Sequence, residues 1–212
     1  MTAGKVRYIG ICNVPAWVAA QSQTIACFRG WAPLTALQLE YSLLERTPEG
    51  ELLPMAEALG VGVLPWSPLR GGHLSGKYAR DGAAPADSLR AGRTDGPAER
   101  DWSVIDTVAR VAAEIGVGSA EVALAWVRSH PAITSTIIGA RTPQQLRANL
   151  ASLAVTLTPE QLAALDEAST PALEFPAAIN AGPGPMLGFG CTTVDGVTLP
   201  TWPMLLTSPT RY

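Results

Sequence analysis

Short apolar runs alternate with longer runs of helical period through residues 1–170, and that alternation restricts the fold more than any other feature of the chain. Strand-like segments at 6–11, 34–41, 61–66 and 133–138 are rich in branched and other apolar residues. Helical signals follow at 15–29, 51–59, 102–115, 120–129, 143–152 and 159–168. Pro15 suits a first turn and Gly30 a helix end. Within 102–115, Val104, Ile105, Val108, Val111, Ala112 and Ile115 fall on one face. Ser119 is placed to cap the next helix. Thr142-Pro143 and Thr158-Pro159 are N-terminal signals for the last two. Strands that are apolar throughout, each followed by a helix, predict a parallel sheet covered by helices.

An open nucleotide-binding sheet and a (β/α)₈ barrel both satisfy this pattern. The phosphate loop of a dinucleotide-binding open sheet is absent, because the first strand runs into Cys12-Asn13-Val14-Pro15 with no Gly-x-Gly-x-x-Gly. Gly76-Lys77 is followed by Tyr78, so the Gly-Lys-Ser/Thr phosphate loop is absent too.

Charge excludes other classes. The 212-residue chain has a formal net charge of −3, and its only lysines are Lys5 and Lys77. A surface that tracks nucleic-acid phosphates is therefore not expected. No apolar run reaches the ~18–20 residues of a membrane span. Residues 1–7 lack the charged segment and apolar core of a signal peptide. Cys12, Cys27 and Cys191 are widely spaced and odd in number, which fits reduced thiols in the cytoplasm better than a disulfide frame or a zinc site. His73 and His130 form no ligand pair with each other or with a cysteine.

Two regions depart from the alternation. Residues 67–100 form a Gly-, Ala-, Pro- and Arg-rich stretch far longer than the usual connection of ~4–6 residues. Residues 171–212 form a Gly/Pro-rich tail without helical period, expected to cover one end of the domain formed by 1–170. Its segments 191–194 and 197–199, joined by Asp195-Gly196, fit either a tight β-hairpin or a meandering loop. Phe175, Phe189 and Trp202 in this tail could line an apolar pocket or plug the domain end.

Polar and Gly-containing signals cluster just after the strands: Cys12-Asn13, Gln38 with Tyr41-Ser42, Trp66-Ser67-Pro68-Leu69, and Gly139-Ala140-Arg141. In a (β/α) barrel the carboxyl ends of the strands form the functional face. Helix N-termini lie there as well, with free N–H groups that favour phosphate.

Four segments resemble aldo-keto reductases, in the right order and at plausible spacing. Residues 4–13, Gly-Lys-Val-Arg-Tyr-Ile-Gly-Ile-Cys-Asn, are similar to the fifth-strand segment of that family, with Cys12 where Ser is usual. Residues 37–46 resemble the sixth, residues 62–78 the seventh with its long loop, and residues 137–150 the eighth strand and helix. The resemblance implies half of a (β/α)₈ TIM-type barrel, about four parallel strands with covering helices. It also implies an NADP(H) site. Cys12, Asn13 and Gln38 match side chains that hold the nicotinamide carboxamide, although a thiol is the weakest partner of the three. Trp66 matches the aromatic that stacks on the ring. Ser67, Pro68, Leu69 and Gly71 match the segment along the pyrophosphate, and Lys77 a lysine near the phosphates. Arg141 matches a position that meets the 2′-phosphate, which favours NADP(H) over NAD(H). Gln145 and Asn149 match residues at the adenine. Ser88 and Arg90 are further loop candidates.

Each position also has a structural reading. Asn13 suits a turn before a helix, Trp66 barrel packing, Arg141 a solvated surface, and Gln145 a capping box closed on Thr142.

In the family, Asp, Tyr, Lys and His on the first half of the barrel supply and tune the proton given to the carbonyl. Tyr8, Tyr41, Tyr78 and Tyr212 all fall in or beyond segments that match the second half, so no catalytic residue is carried over. The resemblance implies reduction of aldehydes or ketones in a complete protein and an inactive chain in isolation. A non-catalytic NADP(H)-binding subunit and a non-functional gene fragment are the alternatives. Unpaired strand edges predict self-association or pairing with a complementary half-barrel.

Overall fold

A computed structural model of the chain describes residues 1–78, 80, 97–182, 184–194, 196–201 and 203. Ser88, Arg90, Asp195, Trp202 and Tyr212, singled out from the sequence, lie outside the described residues. The chain divides into two units, Met1–Pro171 and Ala172–Tyr212.

The first unit is an α/β fold on a parallel sheet. Strands β1 (Ile9–Cys12), β2 (Leu34–Glu40) and β3 (Gly62–Trp66) pair in the order β1-β2-β3. Helix α1 (Ala16–Arg29) follows β1 and α2 (Leu52–Ala58) follows β2. Beyond β3 come α3 (Trp102–Ile115), α4 (Ser119–Ser129), α5 (Pro143–Ala151) and α6 (Pro159–Ala168). The apolar stripe of α3 is buried as its spacing predicts, through Val104, Ile105, Val108, Val111 and Ala112. It meets Val122, Ala123 and Val127 of α4, Leu165 of α6, and the sheet residues Leu37, Leu39 and Val63 in one core. Burying each such Val or Leu contributes about 1.5–3 kcal/mol.

Two expectations need correction. Ser119 does not cap α4: Gly118 holds the cap position, Ser119 is already helical, and the Glu121 carboxylate accepts from the Gly118 N–H. The fourth strand at 133–138 is not a regular strand. An isolated parallel bridge joins Ile133 to Val63; Thr134 N–H and Ser135 N–H both donate to Val63 O, and Ile137 N–H donates to Pro65 O. The cause lies in β3. Val63 and Pro65 point their polar groups toward this segment, and Pro65 has no N–H to donate. One rung is missing, so the segment stays alongside β3 without forming a ladder.

Both flanks of the sheet carry exposed apolar side chains. Val6, Tyr8 and Ile9 lie at the β1 flank; Ile137, Leu146, Leu150 and Leu153 lie at the other. On α1, Trp17 and Phe28 share a stripe opposite the buried Ala19 and Ala26.

A buried polar cluster ties the β2–α2 connection to α6. Arg46 Nε and Nη2 donate to the two carboxylate oxygens of Glu49 at 2.7 and 3.0 Å. Arg46 Nη1 donates to Ser169 Oγ at 2.8 Å and to Asp166 O at 3.1 Å. Its guanidinium lies 5.0 Å from the Trp126 ring centroid, and Trp126 Nε1 donates to Asp166 Oδ1 at 3.0 Å.

The second unit holds two short helices, α7 (Ala177–Ala181) and α8 (Gly184–Phe189), and a two-stranded antiparallel pair. In that pair β4 (Thr193–Val194) faces β5 (Val197–Thr198). Of the two sequence readings, the hairpin is the one observed; the short helices were not expected. Among the described residues, no helix is long and apolar enough to cross a membrane.

Candidate functional site

Register decides which side chains share a face. Gly10 and Cys12 pair with Ala36 and Gln38; Ala36, Gln38 and Glu40 pair with Gly62, Leu64 and Trp66. These residues form the face away from the core helices, and they are half-buried or exposed. Because the strands are parallel, their carboxyl ends converge, bringing Asn13, Gln38 and Trp66 together.

Direct contacts join them. Trp66 Nε1 donates to Asn13 Oδ1 at 3.0 Å. Asn13 N–H donates to Gln38 O at 3.1 Å. The Cys12 thiol sits 3.6 Å from Gln38 Oε1 and donates to it. Asn13 adopts φ +50°, a left-handed turn that Asn tolerates better than most residues. The turn reading of Asn13 holds, and the turn aims its amide across β2 toward Trp66.

Beyond β3 the backbone turns sharply. Ser67 and Arg70 have φ +52° and +45°, and Gly71 and Gly72 follow at +65° and +103°. Arg70 N–H donates to Ser67 O and Gly72 N–H to Leu69 O, both at 2.8 Å. Pro68 is buried, while Leu69 and Gly71 are half-buried. The Lys77 ammonium folds back over this turn, and a Cβ on Gly72 would lie 2.7 Å from Lys77 Nζ. Glycine at position 72 thus leaves the room that the Lys77 side chain occupies. Arg70 itself reaches back: its Nη1 lies 2.6 Å from Glu40 Oε1 and 3.5 Å from Glu45 Oε2.

The third cluster opens α5. Thr142 caps the helix, its Oγ1 accepting from Gln145 N–H at 3.2 Å. The Gln145 side chain accepts from Arg141 N–H at 2.8 Å, one residue before the Thr142 N–H that a capping box would use. Asn149 is buried, and its Nδ2 donates to Gly139 O at 3.3 Å. Asn149 therefore shapes the Gly139–Arg141 turn from beneath, and Arg141 is exposed at the surface of that turn. The bond from Ile137 N–H to Pro65 O sets this cluster beside the end of β3.

These groups suit an elongated phosphate ester with a flat amide-bearing ring. Paired Asn and Gln amides match a carboxamide, left-handed turns with a lysine match phosphates, and an arginine beside a helix N-terminus matches a further phosphate. Among the described residues, no group of three His, Cys, Asp or Glu side chains could hold a metal.

Tyrosine is one of the side chains able to give a proton to a carbonyl oxygen. Tyr41 cannot do so here. It is fully buried, its hydroxyl donates to Glu49 Oε1 at 2.7 Å, and burial, reinforced by Glu49, raises its pKa far above the ordinary phenol value. Tyr8 is exposed on the approach to β1. Tyr78 packs edge-on against His73, 5.1 Å between centroids.

Sequence reasoning missed the Glu40–Arg70–Glu45 set. Its signal was an arginine where the turn wants glycine, flanked by Gly71-Gly72.

Comparison with known proteins gives the family. Residues 1–170 match the aldo/keto reductase family. Over 165 residues the chain is 39% identical to the uncharacterized oxidoreductase YrpG of Bacillus subtilis, covering 78% of this chain and 49% of that protein. It is 33% identical over 174 residues to versiconal hemiacetal acetate reductase of Aspergillus parasiticus, covering 80% and 50%. It is 31% identical over 166 residues to the probable aryl-alcohol dehydrogenase AAD4 of Saccharomyces cerevisiae, covering 77% and 50%. The chain belongs to the aldo/keto reductase family of oxidoreductases. It spans about half the length of the curated relatives it matches.

Proposed function

We propose that residues 1–170 form the cofactor-holding part of an NADP(H)-dependent reductase of aldehydes or ketones. The observation that carries this reading is the placement of three clusters beyond the ends of neighbouring segments: Asn13 with Gln38 and Trp66, Lys77 over Gly72, and Arg141 with Gln145, the last tied to β3 by the bond from Ile137 N–H to Pro65 O. Asn13 and Gln38 hold the carboxamide, with Cys12 as a weaker neighbour. Trp66 covers one face of the ring. Backbone amides of Ser67, Leu69 and Gly71, behind the buried Pro68, line the pyrophosphate beside Lys77. Arg141 meets the 2′-phosphate, Gln145 borders the adenine, and Asn149 supports that edge from below. When bound, NADPH supplies the hydride.

The proton given to the carbonyl comes, in this proposal, from groups outside these 212 residues. A complementary half-barrel, whether on a longer chain or on a separate subunit, brings them and covers the apolar flanks at Ile9 and at Leu146, Leu150 and Leu153. The exposed, unpaired Cys12, Cys27 and Cys191 suit a reducing compartment such as the cytoplasm.

Two measurements on the isolated chain test this. NADPH should quench tryptophan fluorescence saturably, and 4-nitrobenzaldehyde should not be reduced at a typical enzymatic rate. Loss of a general acid lowers rates by ~10²–10⁴-fold. Ordinary turnover by the isolated chain would show that the proton donor lies within it.

A further inference from the structure

Arg70 has no role in the site described so far, yet like Ser67 it holds a costly conformation in the turn. It holds φ +45°, although L-residues avoid that region and glycine would enter it freely. Its side chain supplies the reason. Arg70 Nη1 reaches Glu40 Oε1 at 2.6 Å and Glu45 Oε2 at 3.5 Å. Glu40 ends β2, two residues beyond Gln38, and is the register partner of Trp66. Glu45 is pinned in the β2–α2 connection by a pair of backbone bonds with Ser42. Arg70 thus straps the turn after β3 to the end of the neighbouring strand and to the connection that follows it.

The strap acts on a specific piece of backbone. Leu69 (φ −104°, ψ 12°) is right-handed, while Arg70 and Gly71 are left-handed. A right-handed residue followed by a left-handed one turns successive N–H groups toward one concave side, an arrangement that takes anions. We propose that Arg70 is a positioning residue, whose pairing with Glu40 and Glu45 holds the Leu69 and Gly71 amides in the geometry that receives the pyrophosphate of a dinucleotide, while its own N–H stays on Ser67 O. The guanidinium itself stays on the two carboxylates and does not touch the ligand. This inference rests on the NADP(H) reading above.

The test compares NADPH with 2′-AMP, which carries the adenosine and 2′-phosphate but no pyrophosphate. Binding of both to the full chain is measured by calorimetry. Arg70→Ala and Arg70→Gly should weaken NADPH roughly 5- to 10-fold, the scale of two partly exposed ion pairs, and leave 2′-AMP unchanged. Arg70→Gly matters most, because it relaxes the backbone and removes only the strap. Arg70→Lys should recover part of the loss. Glu40→Gln separates positioning from direct contact: it should weaken NADPH, whereas a freed guanidinium binding phosphate directly would strengthen it and overturn the proposal. NADPH binding unchanged in Arg70→Gly, or equal weakening of both ligands, overturns it as well. If the wild-type chain binds 2′-AMP but not NADPH, the turn receives no pyrophosphate and Arg70 positions nothing. If it binds neither, the cofactor reading itself fails and takes this role with it.

Discussion

The indole N–H of Trp66 donates to the Asn13 side chain at 3.0 Å, joining the ends of β1 and β3 across the strand between them. The bond fixes the orientation of the ring proposed to cover the nicotinamide. Trp66→Phe keeps an aromatic face and removes the bond. It should cost less than about 1 kcal/mol of stability, since the bond is solvent-accessible, while weakening NADPH binding by a larger factor than this change in folding energy implies. Chemical denaturation and fluorescence titration of the same variant measure the two effects.

Asn13 has a backbone role and a proposed ligand role, and glycine separates them. Asn13→Gly accepts φ +50° without strain but has no amide. Thermal stability should change little, and NADPH affinity should fall by about tenfold, the scale of one lost hydrogen bond in the bound complex. A variant that melts early and binds normally would assign Asn13 to the turn alone.

The Arg46 cluster is a matter of stability alone. Arg46→Ala would leave the mostly buried Glu49 without its cation and strip the polar contacts to Asp166 and Ser169. Urea unfolding should show a loss of roughly 2–4 kcal/mol. A loss below that of an exposed pair would mean that solvent repairs the site.

His73 makes stability depend on pH. It is buried, neither ring nitrogen has a hydrogen-bond partner among the described residues, and burial lowers its pKa below the ordinary 6.5. In the window from 6.5 down to the folded-state value, the unfolded chain binds more protons than the folded one. Stability is therefore full above 6.5 and falls as pH drops through that window. His73→Leu should remove this component and leave stability at neutral pH equal or higher. An unchanged slope between wild type and variant, measured by urea unfolding at several pH values, would rule His73 out as the source.

Much of this arrangement is legible in the sequence because periodicity and punctuation agree. The stripe of α3, the Thr-Pro starts of α5 and α6, and the apolar runs of β2 and β3 appear where their patterns place them, while β1 begins at Ile9, inside the run expected at 6–11. The fourth strand was misread because composition alone was weighed at 133–138, while the limiting residue was Pro65 on the neighbouring strand. A strand's regularity depends on donors its partner can offer. Arg70 escaped notice for a related reason: the local signal, an arginine before Gly71-Gly72, does not point to its partners, carboxylates 25 and 30 positions away at Glu45 and Glu40. For Asn149 the resemblance implies a place at the adenine, and its bond to Gly139 O has no mark in the sequence, because helix spacing fixes a face without fixing what the preceding loop asks of it. The short helices α7 and α8 have too little apolar period to be read at all.

Apolar flanks predict behaviour in solution. Tyr8 is 74% exposed, Phe28 86% and Leu153 65%, an uncommon load for a soluble monomer. Size-exclusion chromatography with light scattering should show self-association of the isolated chain. A sharp monomer peak would mean these flanks need no cover.

The central claim is a site for NADP(H), and preference between the two nicotinamide cofactors tests it most directly. Calorimetric titration of the full chain should give saturable NADPH binding in the micromolar range and clearly weaker NADH binding. Arg141→Ala should erase most of the difference, with a loss of about 10-fold or more for NADPH, as expected for a charge-assisted contact to phosphate, and little change for NADH. Equal affinities for NADPH and NADH in the wild type, or a preference that survives in Arg141→Ala, would contradict the account.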